Sequence, residues 1–259
     1  MMEWYMYPAV VGIGLIAGFI NTLAGSGSLI TLPFLMFLGL PANVANGTNR
    51  IAILLQNVVS VRGFRQKKIL SFREGLFFSV PAIVGAMAGA RIAINLDEQA
   101  MRRTIGVLLV IMVILIIYKP ERWLLGKHIE QTRSRKVFLI ILFFFIGMYG
   151  GFIQAGVGFF LLAGLVLGAG ANIVKANALK VFIILLYTPL ALVFFMYYHQ
   201  VNYMLGLVLA AGNMTGAWLG TRVAVSWGPR FIRIVLLLAL IISAAKLTGL
   251  LDWLGRIFV

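Results

Sequence analysis

The chain has 259 residues, of which 62% are hydrophobic and 11% charged, with a mean hydropathy of +1.02. A soluble domain of this length carries roughly a quarter charged residues, so a single water-facing fold is excluded and a polytopic membrane protein is required. The net charge of +15 would suggest nucleic acid in a soluble protein, but most of the basic residues lie between or at the ends of apolar segments, where the positive-inside bias puts them, and no nucleic-acid partner is expected.

Taken in order, the first half reads as five apolar segments, 8–23, 29–40, 44–61, 75–94 and 104–118. The start, MMEWYMYPAVVGIG, has an acid in place of a basic leader region and no small-x-small cleavage site, so no removable signal peptide is expected. The stretch from Gly18 to Arg50 breaks at Asn21-Thr22 and again at Gly25-Ser26-Gly27-Ser28, stops at Pro41, and restarts through Asn46-Gly47-Thr48-Asn49-Arg50. Interrupted apolar segments with small polar residues are how a membrane protein builds a site at depth, because the freed backbone groups must face a cavity or other protein. A long polar stretch, 119–136, divides the chain near its middle. The second half then gives segments 137–154, 157–169, 176–198, 203–225 and 231–250. The second member of each half is too short to cross a hydrocarbon layer, which needs about 20 helical residues. Each is expected to be a half-helix or a re-entrant segment.

The halves match in order. Gly18-Phe19-Ile20-Asn21 aligns with Gly151-Phe152-Ile153-Gln154, Ala45-Asn46 with Ala176-Asn177, and Gly85, Gly89 and Arg91 with Gly216, Gly220 and Arg222, with Arg102 and Arg233 extending the series. The expected organisation is a transmembrane repeat over 1–118, a basic cytoplasmic linker over 119–136 and a second repeat over 137–259. Arg62, Arg65, Lys67, Lys68 and Arg73 put the loop after segment three on the same side as the linker, and Asp97 and Glu98 put the next loop outside. The fold expected is therefore an all-α polytopic membrane protein of two homologous repeats, each of four to five membrane segments. An odd number of crossings per repeat inverts the second, whereas four crossings would leave the two parallel.

Cysteine is absent, which excludes disulfides, thiolate metal sites and thiol catalysis. All seven acids fall at segment ends or in loops, so a proton or cation carrier relying on a buried carboxylate is disfavoured. Arg50 and Lys180, by contrast, lie inside segments, one in each half. A central Arg or Lys costs about 2.5 to 3.5 kcal/mol to insert, so each needs a polar partner or must snorkel to an interface. Asn21, Thr22, Gly25, Ser26 and Ser28 in the first break, Asn46, Thr48 and Asn49 beside Arg50, and Gln154, Gly158 and Asn177 in the second half offer neutral donors and close backbone approach. With the positive ends of helices starting after the breaks, these residues favour an anion. Arg91 and Arg222 cap or gate at matching helix ends. Gly85, Gly89, Gly216 and Gly220 are read as permitting close helix packing, and Asn213 and Thr215 as interhelical hydrogen bonding or polar lining. His128 and His199 are read as structural. No metal, cofactor or catalytic group is expected, and an enzyme is disfavoured.

At these residues the chain resembles the TauE/SafE sulfite exporter family. The likeness rests on Gly18-Phe-Ile-Asn-Thr-Leu-Ala-Gly-Ser-Gly-Ser28, Thr31-Leu-Pro33, Pro41, Ala45-Asn-Gly-Thr48, Gly151-Phe-Ile-Gln-Ala-Gly-Val-Gly158 and Ala176-Asn-Ala-Leu-Lys180. It implies a multi-pass carrier of the prokaryotic inner membrane for small, often sulfur-containing anions such as sulfite, sulfoacetate and other sulfonates. The family pattern has a longer glycine run where this chain has Ser26 and Ser28, which add donors. The expected function is secondary transport of such an anion by alternating access, with an anion channel of the same cationic lining as the alternative. A homodimer is compatible with the sequence.

Overall fold

The structure, a computed structural model, describes residues 6–118 and 132–226. The central part of the linker with His128, and the segment expected over 231–250 with Arg233, lie outside the described residues. Those described form α1 (Met6–Ala24), α2 (Ser28–Phe37), α3 (Ala42–Gln66), α4 (Phe72–Ile94), α5 (Glu98–Tyr118), α6 (Arg133–Phe152), α7 (Val157–Ala163), α8 (Ile173–Tyr197) and α9 (Tyr203–Ser226). A π-helical turn, Gly164–Gly168, continues α7. No strand occurs among them. The helices α4, α5 and α6 begin earlier than the apolar segments because polar residues such as Arg73, Glu98 and Arg133 fill their first turns. Thr132 and Asn172 cap α6 and α8 by accepting from the amides of Arg135 and Lys175. The apolar segment expected to end at Gln154 stops sooner as a helix, since Ile153 is extended and leaves Gln154 in the break.

Both helix breaks turn on a glycine with positive φ, Gly25 at +75° and Gly156 at +72°, a conformation that costs a side chain about 1 kcal/mol or more. The other left-handed residues repeat in the same way. Gly39 and Gly170, and Lys68 and His199, are each 131 positions apart, as are Gly25 and Gly156 and the first residues of α3 and α8. The displacement of 131 seen in several of the expected residue matches thus recurs in these backbone positions.

Each short helix folds back along the helix before it. Val157 lies against Gly150, Gly164 against Phe143 and Ile146, and Gly168 against Leu139. The Arg135 guanidinium closes this hairpin by donating to the carbonyls of Leu167 (3.1 Å) and Gly168 (2.9 Å). In the first half Gly27 abuts Ala17 and Asn21, and Thr31 Oγ1 donates to Asn49 Oδ1 at 2.7 Å.

The first helix of each half packs on the fourth helix of the other. Val11, Leu15 and Phe19 meet Gly212, Gly216 and Gly220 in the same order, so α1 and α9 run parallel. Gly85 and Gly89 meet Phe144 and Met148 in the same way between α4 and α6. At Gly85, Gly89 and Gly216 a Cβ would meet backbone, and at Gly220 the Thr22 side chain and the Phe19 carbonyl, so the four glycines expected to permit close packing do so. One end of the bundle gathers the starts of α4, α6 and α8, where Lys175 Nζ pairs with Glu74 Oε1 at 2.7 Å. At the other end Gln200 Nε2 donates to the Ile94 carbonyl and the Asn202 amide to Thr48 Oγ1.

Burial follows the pattern of a protein in lipid. The outer faces expose Val80, Val84, Val193 and Leu207, while Asn21, Thr22, Asn49, Arg50, Gln56 and Lys180 are buried. Among the described residues α1, α4, α6 and α8 are long and apolar enough to cross a membrane.

Candidate functional site

The two buried cations reach across to the opposite half. Arg50, wholly buried on α3, forks onto the end of α6, with Nη1 donating to the Gly150 carbonyl (3.1 Å) and Gln154 Oε1 (3.3 Å). Its Nη2 donates to the carbonyls of Gly151 (2.6 Å) and Phe152 (3.4 Å), and Asn46 Nδ2 also donates to the latter (2.8 Å). The Phe195 ring of α8 covers the guanidinium at 4.4 Å. Lys180, equally buried on α8, caps the end of α1 through Nζ, which donates to the carbonyls of Asn21 (2.9 Å) and Thr22 (3.1 Å) and to Asn177 Oδ1 (2.7 Å). The last carbonyls of a helix carry its partial negative charge and mostly lack an amide partner, Asn21 keeping that of Gly25, so a cation is favourable at both places. Neither side chain snorkels to an interface.

Between the two breaks lies a cavity of about 10 Å³, room for about one water. Asn21, Gly25 and Ser28 line it from the first break, Gln154 and Gly158 from the second, and Ile53, Gln56, Asn57 and Ile184 from α3 and α8. Gly25 and Gly158 are packed backbone to backbone, with no room for a Cβ at either. The short helices α2 and α7 both start here, and their caps, Gly27 and Gly156, make no side-chain cap hydrogen bond.

The remaining expected residues divide into near and far. Ser26 is buried with its hydroxyl unpartnered. Thr22 bonds Ser60, Asn49 bonds Thr31, and Asn177 holds Lys180, so all three serve the walls. Thr48 accepts from the α8–α9 turn, away from the cavity. Arg91 and Arg222 are exposed at helix ends, Arg222 lying over the Trp218 ring at 3.7 Å.

Sequence reading missed Gln56, Asn57 and Thr188. Gln56 Oε1 accepts from Asn21 Nδ2 and from Asn213 Nδ2, each at 3.2 Å, and so ties α1, α3 and α9 together. Gln154 Nε2 donates to Thr188 Oγ1 at 3.3 Å. A signal was present: Gln56 and Asn57 sit 131 positions before Tyr187 and Thr188, polar groups at matching depth in two apolar helices.

Among the described residues the acids Glu74, Asp97 and Glu98 are all exposed, and no group of side chains could hold a metal. The buried Arg50 and Lys180 therefore meet carbonyls and side-chain amides and no carboxylate among the described residues.

Comparison with known proteins places this arrangement in context. The family profile described as Sulfite exporter TauE/SafE matches residues 10–247. The probable membrane transporter protein ORF9 of Sinorhizobium sp is 28% identical over 93% of this chain and 94% of its own length. The probable membrane transporter protein YfcA of Escherichia coli K12 is 28% identical over 96% and 95%. YunE of Bacillus subtilis, also a probable membrane transporter, is 23% identical over 93% of this chain. No solved structure matches.

Proposed function

Because the chain belongs to the sulfite exporter TauE/SafE family of membrane transporters, we propose that it carries a small organosulfur or sulfite-like anion across the inner membrane of a prokaryote by alternating access. The observation that carries this reading is the pair of wholly buried cations, Arg50 and Lys180, beside a polar cavity with no buried carboxylate among the described residues. A sulfite or sulfonate oxygen cluster suits convergent amide and hydroxyl donors such as Asn21, Ser28, Gln56 and Gln154, backed by one cation from each half.

The two halves, 1–118 and 137–259 about a 119–136 linker, form inverted repeats in this reading. Parallel packing of α1 with α9 and of α4 with α6 supports it. So does the reach of Lys180, early in α8, to the far end of α1. Each short helix is then re-entrant, and the breaks meet near the midplane. A cavity of about 10 Å³ is too small for a sulfonate, so the halves must part to admit one. A centre that closes around nothing larger than a water favours a carrier over a channel.

Purified protein is expected to gain several degrees of thermal stability with sulfite, thiosulfate or sulfoacetate and none with simple carboxylates. Proteoliposomes should accumulate labelled anion by counterflow. Absence of both effects across the sulfur anions would remove the substrate class, and flux without counterflow would make the protein a channel.

A further inference from the structure

An open cavity of about 480 Å³ lies at the end of the bundle where α4, α6 and α8 begin. Its wall is built from Arg73 of α4, Lys136 of α6 and Lys175 of α8, with Glu74 beside them, and Phe78 and Leu179 lie deeper, the latter immediately before buried Lys180. Glu74 is taken up by Lys175 at 2.7 Å. Arg73 and Lys136 have no carboxylate partner among the described residues. Three helices also begin here, two of them capped by Thr132 and Asn172, and the positive ends of their dipoles add to the same space.

Duplication does not account for this cluster. At the displacement of 131 that relates the halves, Arg73, Glu74 and Lys175 correspond to Met204, Leu205 and Val44. The matching place at the other end of the molecule is therefore apolar. Nor is lipid-side charge bias sufficient, because that bias scatters Lys and Arg along loops, whereas these three come from separate helices and converge on one cavity.

We propose that this cavity is a second oxyanion site, taking a tetrahedral phosphate or sulfonate group between Arg73 and Lys136. The group comes either from free anion gathered on its way to the centre or from the headgroup of an anionic phospholipid lodged between the helices. The free-anion form rests on the transport function proposed above, and the lipid form does not.

The test uses the full chain with Arg73→Gln/Lys136→Gln together, and Glu74→Gln as the opposing change. In phosphatidylcholine-only proteoliposomes, sulfite applied from the side bearing this cavity reports the free-anion source. The double variant should raise KM about fivefold or more at unchanged kcat, and Glu74→Gln should lower KM. Native mass spectrometry after mixing with phosphatidylglycerol reports the lipid source, as adducts on the wild type that the double variant loses and Glu74→Gln retains. Either pattern supports the site. KM within about twofold in all variants together with equal lipid adducts overturns it. If the wild type moves no sulfite, the transport reading fails on its own, and direct binding of methanesulfonate by titration calorimetry, lost in the double variant, still decides the site.

Discussion

Arg50 and Lys180 do two things at once, and the chemistry of each separates them. As caps they satisfy the carbonyls at the ends of α6 and α1; as cations they supply charge that those carbonyls only partly neutralise. Lys180→Met keeps the volume and loses both functions. It leaves the Thr22 carbonyl short of a donor in a dry interior and the Asn21 carbonyl with the Gly25 amide alone, and a loss of about 1 to 3 kcal/mol is expected, seen as a lower melting temperature without ligand. The same variant should show no stabilisation by sulfite. Lys180→Arg, which keeps the charge, should recover part of the ligand-induced shift if the charge is what the anion sees. A Lys180→Met protein as stable as the wild type would refute capping. A full ligand shift in that variant would refute the anion role. Sequence alone marked both residues as costly intramembrane charges needing a partner, since that follows from transfer energy. It did not mark the partner, because a cap reaching from one half to a helix end in the other, across about 100 or 160 positions, leaves no local pattern. Gln56 was missed for a related reason. One amide in an apolar helix reads as ordinary until the two neighbours that share its oxygen, Asn21 and Asn213, are seen together.

At the scale of elements, the short helices were legible from length, because too few apolar residues follow each break to span a bilayer. Their return along the preceding helix was not, since a half-helix continuing outward has the same composition. Arg135 closing on Gly168, and Thr31 on Asn49, are contacts of direction rather than of pattern. The consequence lies where the hairpin tips meet, at Gly25 and Gly158. Gly158 has an ordinary helical backbone, so Gly158→Ala tests packing without the strain a positive-φ position would add. The new methyl would lie on the Gly25 backbone and hold the tips apart. Insertion and expression are expected to survive, because the exposed apolar faces are untouched, while counterflow should fall about tenfold or more as the closed centre is denied its contact. Wild-type counterflow in Gly158→Ala would mean that the contact of the two tips is no part of the cycle.

The whole molecule sets two ends against each other. The sequence after α3 and the sequence before α6 are basic, whereas the turn from α8 to α9 carries no Lys or Arg and the one after α4 carries Asp97 and Glu98. Sequence reading placed these on opposite sides from charge alone, and the gathering of α4, α6 and α8 starts at one end gives that assignment a geometric basis. What charge could not supply was the number of crossings, because it does not tell a returning helix from a continuing one. In the arrangement proposed above, each hairpin enters and leaves on one side, so that α3, α4 and α5 would make three crossings in the first half, and an odd number would invert the second. The absence of cysteine makes this directly measurable. Lys67→Cys sits in the α3–α4 turn and His199→Cys in the α8–α9 turn, and both positions are exposed. A membrane-impermeant maleimide added to intact cells should label His199→Cys and leave Lys67→Cys unlabelled until the membrane is permeabilised. Parallel repeats put both turns, which are related by the displacement of 131, on the same side. Equal labelling of the two variants in intact cells, or of neither, would therefore replace inversion with a parallel arrangement. It would also withdraw the mechanism in which two oppositely directed hairpins exchange access to one pair of buried cations.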